Sequence, residues 1–511
     1  MNAPTIAQRM ADVIQQWSDR VAVVHKNRSW TYAGLAALIA SYTSWLQDGG
    51  FCAGECAVLW LENSAEYIAA YLAVLGLDGV AVSLHSQVLP EEVNKIGQFT
   101  GPTALIAPSY VWQKVKQEID ISTLRCVQTE SGVIPLSSSQ HAGVPEMKAP
   151  SGLAQIIFTS GSTGQPKGVM LSHKNLLANA DSIIQYLGLS EHDSALAVLP
   201  FVYAYGNSVM LTHLLAGGRL VIENSFVYPN VVLERMKSEE VTGFSGVAST
   251  YALLVNHSNL RNYSFPSLRY LTHAGGPLPL DLLDKLRQAF SGKEIFVMYG
   301  QTEATARLTY LPPTELDRKR GSAGRPIPGV MIRIVDQLGE AVPPGQPGEV
   351  SATGDNIMLG YWQNPDLTAK TLDRGWLRTG DIGRMDEEGY LYIIGRNNDI
   401  IKSGAFRISP YEIEEVLLSH QSIDEAGVVG MDDPVLGESI VGLVVPRQHH
   451  QLLEQELLAF CARHLPPYKR PKVILQVTAL PKSPSGKLLR HQMKALCHSF
   501  QPPSITSTPR S

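Results

Sequence analysis

The stretch FTSGSTGQPKGVMLSH, residues 158–173, carries the strongest information about fold and chemistry. Ile156, Ile157 and Phe158 are apolar and predict a strand that runs into this stretch, and Ser172 predicts the N-cap of a following helix. Small and hydroxyl residues between the two elements allow a loop to turn backbone N–H groups and hydroxyls towards one anion. The loop expected to bind phosphate comprises Thr159, Ser160, Gly161, Ser162, Thr163, Gly164, Lys167 and Gly168.

Lys167 adds a mobile positive charge to this loop, which suits a reaction that expels pyrophosphate. The loop is not of the Walker type, because no Gly precedes Lys167 in the Gly-Lys-Ser/Thr pattern. The alternative interpretation is a flexible turn without a ligand. So many small and hydroxyl residues in one run favour the phosphate loop.

The sequence before this loop alternates short apolar runs with amphipathic ones. Strands are predicted at 56–61 and 79–84, and helices at 65–75 and 90–99. The alternation continues to about residue 395 and predicts an α/β architecture with parallel-rich sheets. Residues 135–150 are rich in Ser and Pro and are expected to form a surface loop.

The last hundred residues have a different pattern. Ser409 and Glu412 predict a capping box, and Pro410 takes the first helical position. Strands are predicted at 426–430, 440–445 and 472–478, with a helix at 452–465. We therefore expect a large N-terminal domain over 1–397 and a small α+β domain over 398–511, whose tail from about 502 to 511 is expected to be disordered.

Length and composition exclude several classes of protein. A chain of 511 residues is too long for one hydrophobic core, and its net charge of −5 provides no basic surface for nucleic acid. No apolar run is long enough to span a bilayer, and residues 1–17 lack a signal-peptide layout, so a cytoplasmic location is expected. The five cysteines are odd in number and scattered, as expected for reduced thiols. Cys52 and Cys56 lack a second ligand pair for zinc and favour a turn before a buried strand.

The quoted stretch resembles the phosphate loop of the adenylate-forming superfamily, which includes acyl-CoA synthetases, adenylation domains of nonribosomal peptide synthetases and firefly luciferases. Further motifs recur in the order of this superfamily, so the resemblance covers nearly the whole chain and is closest to AMP-forming acyl-CoA ligases. They are Leu199-Pro200-Phe201 at the acyl-pocket entrance, Ala274-Gly275-Gly276-Pro277-Leu278 on the adenine side, Tyr299-Gly300-Gln301-Thr302-Glu303, the ribose-binding WLRTGDIG at 376–383, Gly395-Arg396 at the hinge and Pro484-Ser485-Gly486-Lys487.

The resemblance implies ATP, Mg²⁺ and a carboxylic acid as ligands. A carboxylate is a poor electrophile, and its conversion to an acyl-adenylate with release of pyrophosphate overcomes this. Lys487 is expected to bridge the carboxylate and the α-phosphate, and Thr302 to donate to the α-phosphate. Glu303, with Thr163, is the expected Mg²⁺ ligand. Tyr299 is expected to lie at the adenine and Asp381 at the ribose. With these two, the further expected nucleotide-binding positions are Gly275, Gly276, Tyr299, Gly300, Gln301, Asp381, Ile393, Arg396 and Lys402.

Two positions depart from the family pattern. Tyr203 stands where many acyl-CoA synthetases have a histidine, and we expect it to be a gate between the acyl pocket and the adenylate. Ala405 replaces the usual Gly in a loop expected to line the pantetheine path. The sequence therefore determines the identity of the acceptor thiol less well than it determines the adenylation step. Asn398 is expected to be the pivot about which a mobile small domain rotates.

The predictions of the acid substrate and of the acceptor thiol depend on two further stretches of the sequence. Amino-acid-activating relatives pair the substrate ammonium with an Asp, and a count back from LLAGG at 214–218 puts that position at Ala204. We therefore expect an aryl or fatty/aliphatic acid without an α-amino group. Coenzyme A is the expected acceptor, because PPYKRP at 466–471 resembles a segment of acyl-CoA ligases. The alternatives are a phosphopantetheinyl carrier protein as acceptor and, from another class, an ATP-binding regulatory protein with a degenerate fold, against which the intact reactive side chains argue.

Overall fold

The computed structural model describes residues 4–120, 122–130, 132–136, 149–159, 167–226, 228–396, 399–403, 406–433, 436–447, 453–483 and 487–500. Several sequence predictions concern residues outside these ranges. They are the phosphate-loop residues 160–166, most of the expected loop at 135–150, the pivot Asn398, Ala405 and the tail at 502–511.

Two large sheets with parallel centres form most of the N-terminal part, as the alternating pattern predicts. In the first sheet the six strands from Glu294–Tyr299 to Val21–His25 run parallel, and in the second the five from Leu153–Thr159 to Cys126–Thr129 do. In spatial order the first sheet contains Arg325–Pro326, Thr309–Leu311, Glu294–Tyr299, Tyr270–His273, Gly243–Gly246, Ser194–Ala197, Arg219–Ile222, Val21–His25 and Arg28–Thr31. The second contains Gly360–Tyr361, Lys167–Ser172, Leu153–Thr159, Val80–Leu84, Cys56–Trp60, Ala104–Ile106, Cys126–Thr129 and Gly132–Pro135.

Two smaller sheets follow in the chain. The third is antiparallel and contains Val330–Val335, Gly348–Gly354, Trp376–Met385 and Leu372–Asp373, with Leu391–Arg396 paired to Trp376–Met385. The fourth contains Phe406–Ile408, Ile401–Ser403, Gly437–Pro446 and Ile423–Asp433, with Val473–Gln476 parallel to Gly437–Pro446. The predicted domain boundary between residues 397 and 398 falls between the last strand of the third sheet and the first of the fourth, and it stays a prediction.

Helices cover both large sheets, and one of them lies inside the core. The helix Ala65–Gly76 is buried on nearly all sides, which explains its continuous run of apolar residues. Within the described ranges no helix combines the length and the apolarity needed to cross a lipid bilayer. The helices are Ile6–Gln16, Tyr32–Asp48, Ala65–Gly76, Pro90–Thr100, Ser109–Val115, His173–Leu187, Ala204–Leu215, Pro229–Ser238, Ala248–His257, Leu280–Ala289, Pro365–Thr371, Pro410–Leu418, Glu454–His464 and Arg490–Phe500, with single 3₁₀ turns at Leu260–Asn262, Thr302–Ala304, Pro313–Glu315 and Pro467–Lys469.

The predicted loop ends earlier than the sequence indicates, and the phosphate-binding role of Lys167 stays a prediction. Lys167 and Gly168 lie in the strand Lys167–Ser172, which pairs antiparallel with Leu153–Thr159 and places Lys167 opposite Thr159. Gly168 is required there by packing, because a Cβ atom would lie 2.9 Å from Ile156 Cγ2 and 3.2 Å from Phe158 Cε1. The helix after it begins as predicted, since the Ser172 side chain accepts from Asn175 N–H in a capping box.

The capping box predicted at Ser409 and Glu412 was wrong. Ser409 is the N-cap of the helix Pro410–Leu418, but its side chain makes no capping hydrogen bond. The Ser409 hydroxyl instead donates to the carbonyl of Ile394 in the third sheet. A contact between the start of this helix and the third sheet has therefore replaced the local bond that the sequence pattern suggests.

Candidate active site

A buried acidic group lies where the first and third sheets meet. Asp381 faces Arg396 on the neighbouring strand, and the Arg396 Nε to Asp381 Oδ1 distance is 3.2 Å. The Tyr299 hydroxyl, at the end of a strand of the first sheet, donates to Asp381 Oδ2 at 2.6 Å. Burial raises the pKa of the Asp381 carboxyl, and Arg396, Tyr299 and Lys487 oppose this shift. The structure thus brings together three residues that lie 82 and 15 positions apart in the sequence.

Lys487 reaches this group from the small C-terminal part. Its backbone N–H donates to Ser483 Oγ at 3.2 Å, and its carbonyl accepts from Ser483 N–H at 2.8 Å, at the base of a turn. The Lys487 residue as a whole is exposed to solvent. Desolvation in the cleft, followed by the Arg396 cation, lowers the pKa of Lys487, whereas Asp381 and Glu303 raise it. The charges of these three groups therefore act on the Lys487 ammonium, although none of the described ion pairs includes it.

Glu303 is held in place by a residue that the sequence did not single out. It lies in the 3₁₀ turn Thr302–Ala304, and Tyr361 donates its hydroxyl to Glu303 Oε1 at 2.9 Å. Lys167 Nζ lies 5.9 Å from the centroid of the Tyr361 ring. No sequence signal marks Tyr361, because it lies 58 residues from Glu303 on a two-residue strand that pairs with the strand of Lys167.

The cleft around Asp381, Glu303 and Lys487 contains polar groups that could bind a nucleotide and a metal ion. Gln301 Nε2 is buried without a partner among the described residues, which suits a bound acceptor. The Glu303 carboxylate offers hard oxygen to Mg²⁺. Gly275 has a φ of +94°, and the carbonyl of Gly276 lies 2.9 Å from His273 Nε2. These residues fit the predicted nucleotide site.

The predicted acyl side begins at the segment around Leu199. Asn63 holds this segment, since its Nδ2 donates to the Leu199 carbonyl and its Oδ1 accepts from Phe201 N–H. The half-buried Tyr203 follows at the N-cap of the helix Ala204–Leu215, and its ring stacks on His85 with centroids 6.1 Å apart. Burial raises the pKa of Tyr203.

Two other predicted positions lie in different surroundings. Ile393 packs in a small apolar cluster with Tyr299, whose hydroxyl donates to Asp381. Lys402 lies exposed on the strand Ile401–Ser403 of the fourth sheet, where its backbone N–H donates to Glu438 Oε2. Among the described contacts none joins Lys402 to the cleft.

The Tyr361 hydroxyl is expected to support metal binding through Glu303. Tyr361→Phe should raise the Mg²⁺ concentration needed for half-maximal pyrophosphate release by roughly 10-fold, because loss of a group that orients a metal ligand weakens binding. Titration of pyrophosphate release with Mg²⁺ measures this. Tyr392→Phe is the control, since Tyr392 packs on Arg384 on the third sheet. Equal Mg²⁺ requirements in the two variants would contradict the role of Tyr361.

The sequence matches the family described as AMP-binding enzyme over residues 10–362 and its C-terminal domain over 412–487. It is 31% identical to a 2-succinylbenzoate–CoA ligase of a Geobacillus species, over 94% of this chain and 95% of that protein. It is 30% identical to a long-chain-fatty-acid–CoA ligase of Escherichia coli, over 96% and 95%. The fold is similar to Bacillus subtilis o-succinylbenzoate CoA synthetase with its acyl-adenylate, at a TM-score of 0.84, 30% identity and coverage of 97% and 99%. The same synthetase with ATP and a magnesium ion gives 0.83, at 30% identity and coverage of 95% and 99%.

Proposed function

This chain belongs to the AMP-binding enzyme family of AMP-forming acid–thiol ligases, and we propose that it converts a carboxylic acid without an α-amino group first into an acyl-adenylate and then into a coenzyme A thioester. The observation that carries the assignment of roles is the buried Asp381 carboxylate, which Tyr299 and Arg396 contact at 2.6 and 3.2 Å where the first and third sheets meet. The charges of Asp381, Glu303 and Arg396 also shift the pKa of Lys487.

In the first half-reaction a substrate carboxylate oxygen bonds to the α-phosphorus of ATP. The bond from that phosphorus to the bridging oxygen breaks, and pyrophosphate leaves with the electron pair. Lys487 holds the carboxylate and the α-phosphate together and neutralises both. Thr302 donates to the α-phosphate, and Asp381 accepts from the ribose. Glu303, with Thr163, would hold Mg²⁺, which supplies positive charge beside the phosphates.

In the second half-reaction the thiolate attacks the acyl carbon and AMP leaves. Coenzyme A is the proposed thiol, which agrees with the names of the relatives. The alternative acceptor is the phosphopantetheine of a carrier protein. We also propose a cytoplasmic location for the enzyme. The test is the release of pyrophosphate and of AMP from ATP in the presence of a panel of fatty, cinnamic and benzoic acids, with and without coenzyme A. Failure of every acid to release pyrophosphate would reject the proposed function.

Amino acids are expected to be poor substrates. The helix Ala204–Leu215 has no acidic side chain in its first turn, and its N-terminus carries partial positive charge. The Arg307 guanidinium adds a full positive charge, with Cζ 4.1 Å from the Tyr205 ring centroid. A buried ammonium would lack a counter-ion there, so pyrophosphate exchange with any of the twenty amino acids should be at least roughly 100-fold below that with the best acid. Robust exchange with an α-amino acid alone would contradict this.

A further inference from the structure

Arg307 is a buried cation without an acidic partner. Its exposed fraction is only 3%, and among the described residues it forms no salt bridge. Its Nη1 donates to the carbonyl of Ala306 at 3.2 Å, and its Nε lies 3.3 Å from Met298 Sδ. The Tyr186 hydroxyl also lies beside the guanidinium. The carbonyl, the thioether and the hydroxyl are all neutral, and a guanidinium removed from water without a counter-ion is strongly unfavourable.

The groups around Arg307 are neutral. The Tyr205 ring lies under its guanidinium, and the Tyr205 hydroxyl donates to the carbonyl of Thr272 at 2.9 Å. Stacking on one aromatic ring offsets only part of the cost of burying the charge. Burial lowers the pKa of His273 to about 4, so this neighbour is neutral at physiological pH, and its Nδ1 is buried without a partner among the described residues. His273 therefore has an unused polar atom, and the Arg307 charge has no acidic partner among the described residues.

Arg307 lies between the proposed acyl and nucleotide sites. Tyr205 belongs to the first turn of the helix Ala204–Leu215, which follows the proposed acyl-pocket segment. Gly300 belongs to the proposed nucleotide loop, and a Cβ atom on it would lie 2.8 Å from the Cα of Arg307. A group bound by Arg307 would thus lie beside the proposed acyl site.

The backbone of Arg307 is fixed by two buried amides. Asn356 Nδ2 donates to the Arg307 carbonyl at 2.8 Å, and Asn179 Nδ2 does so at 3.3 Å. Both asparagines are almost completely buried. The cation therefore projects from a rigid support, as a residue that selects a substrate requires.

We propose that Arg307 binds a second carboxylate carried by the acyl substrate, so that this ligase activates a dicarboxylic acid through its other carboxyl group. This inference rests on the proposed function and narrows its substrate class. A planar guanidinium pairs with a carboxylate through two parallel hydrogen bonds, and such a pair supplies the missing counter-ion. An acid with an apolar end would leave the buried charge unpaired.

The first test compares matched acids on the wild-type enzyme. Pyrophosphate release is measured for linear dicarboxylic acids of three to ten carbons and for the monocarboxylic acids of equal length, and for benzoic against phthalic, isophthalic and terephthalic acids. At least one dicarboxylic acid should have a kcat/KM roughly 30-fold or more above its monocarboxylic match. If monocarboxylic acids are used equally well or better throughout, the inference fails while the proposed function stands. If no acid reacts, the proposed function itself fails.

The second test uses Arg307→Met, Arg307→Lys and the control Arg384→Met. Arg384 also lies over a tyrosine, Tyr392, with 4.4 Å from Cζ to the ring centroid, but on the third sheet. Arg307→Met should reverse or abolish the preference for the dicarboxylic acid, mainly through KM. Arg307→Lys should retain part of it, and Arg384→Met should not change it. An unchanged ratio of the two kcat/KM values in Arg307→Met would overturn the proposal, and the wild-type ratio decides the matter if that variant does not fold.

Discussion

Alanine in place of Lys487 is expected to slow acyl-adenylate formation by roughly 10²- to 10³-fold, which corresponds to about 3–4 kcal/mol of lost transition-state stabilisation. The charges of Asp381, Glu303 and Arg396 shift the pKa of this ammonium. It is the group proposed to neutralise the carboxylate and the α-phosphate as they approach. Thioester formation from pre-made acyl-adenylate joins no two anions in this way and should be largely retained.

The two half-reactions are measured separately for this variant. Pyrophosphate exchange reports adenylation, and release of AMP from synthetic acyl-adenylate and coenzyme A reports thioester formation. Lys482→Ala is the matched control, because Lys482 lies on the same turn and pairs with Glu425 at 2.5 Å outside the cleft. An equal loss in both half-reactions of Lys487→Ala would show that Lys487 does not act in the first step alone.

Loss of the Glu414 carboxylate is expected to destabilise the small C-terminal part by about 3 kcal/mol, because the buried Arg490 guanidinium then keeps only the more distant Asp399, whose Oδ2 lies 3.4 Å from Arg490 Nε. Arg490 Nη1 donates to Glu414 Oε1 at 2.5 Å and Nη2 donates to Oε2 at 3.2 Å, and both side chains are about nine-tenths buried. The same Arg490 donates to the carbonyl of Val428 at 2.6 Å. The pair joins the helix Pro410–Leu418 to the helix Arg490–Phe500, which begins three residues after Lys487.

Tryptophan fluorescence would not detect this change. All seven tryptophans precede residue 398, so the signal reports the large N-terminal part. Hydrogen–deuterium exchange of peptides from the strands Ile423–Asp433 and Gly437–Pro446 is the suitable measurement. Their amides should exchange roughly 100-fold faster or more in Glu414→Ala, if they exchange through opening of this part of the protein.

Two further variants make the Glu414 result specific. Glu412→Ala removes a half-exposed carboxylate from the same helix, where it pairs with Lys469, and should cost less than about 1 kcal/mol. The double variant Glu414→Ala/Arg490→Met should recover part of the protection, because it no longer buries a guanidinium that has lost its nearer carboxylate. If Glu414→Ala and Glu412→Ala were equally mild, the buried pair would contribute little to stability.

The sequence alone determined the α/β class and the family. Parallel strands buried on both faces read as apolar runs such as CAVLW at 56–60, and the helices between them have a different period, so both are visible without a structure. Short motifs in a fixed order identified the family because nucleotide chemistry requires glycines, hydroxyls and charges at particular backbone positions. The roles of Lys487, Glu303 and Asp381 also come from those motifs, and they stay predictions.

Only the tertiary structure decided which groups meet. Tyr361 contacts Glu303 across 58 positions, and the Ser409 hydroxyl bonds to Ile394 instead of capping its own helix. Lys167 became part of a strand because a partner strand was available, although its local sequence favours a loop. In the sequence Arg307 looks like an ordinary charged residue, because its burial and its lack of a counter-ion depend on the residues that surround it in the fold. Local sequence determines what a segment can form, whereas desolvation and long-range hydrogen bonds depend on neighbours that the segment does not specify.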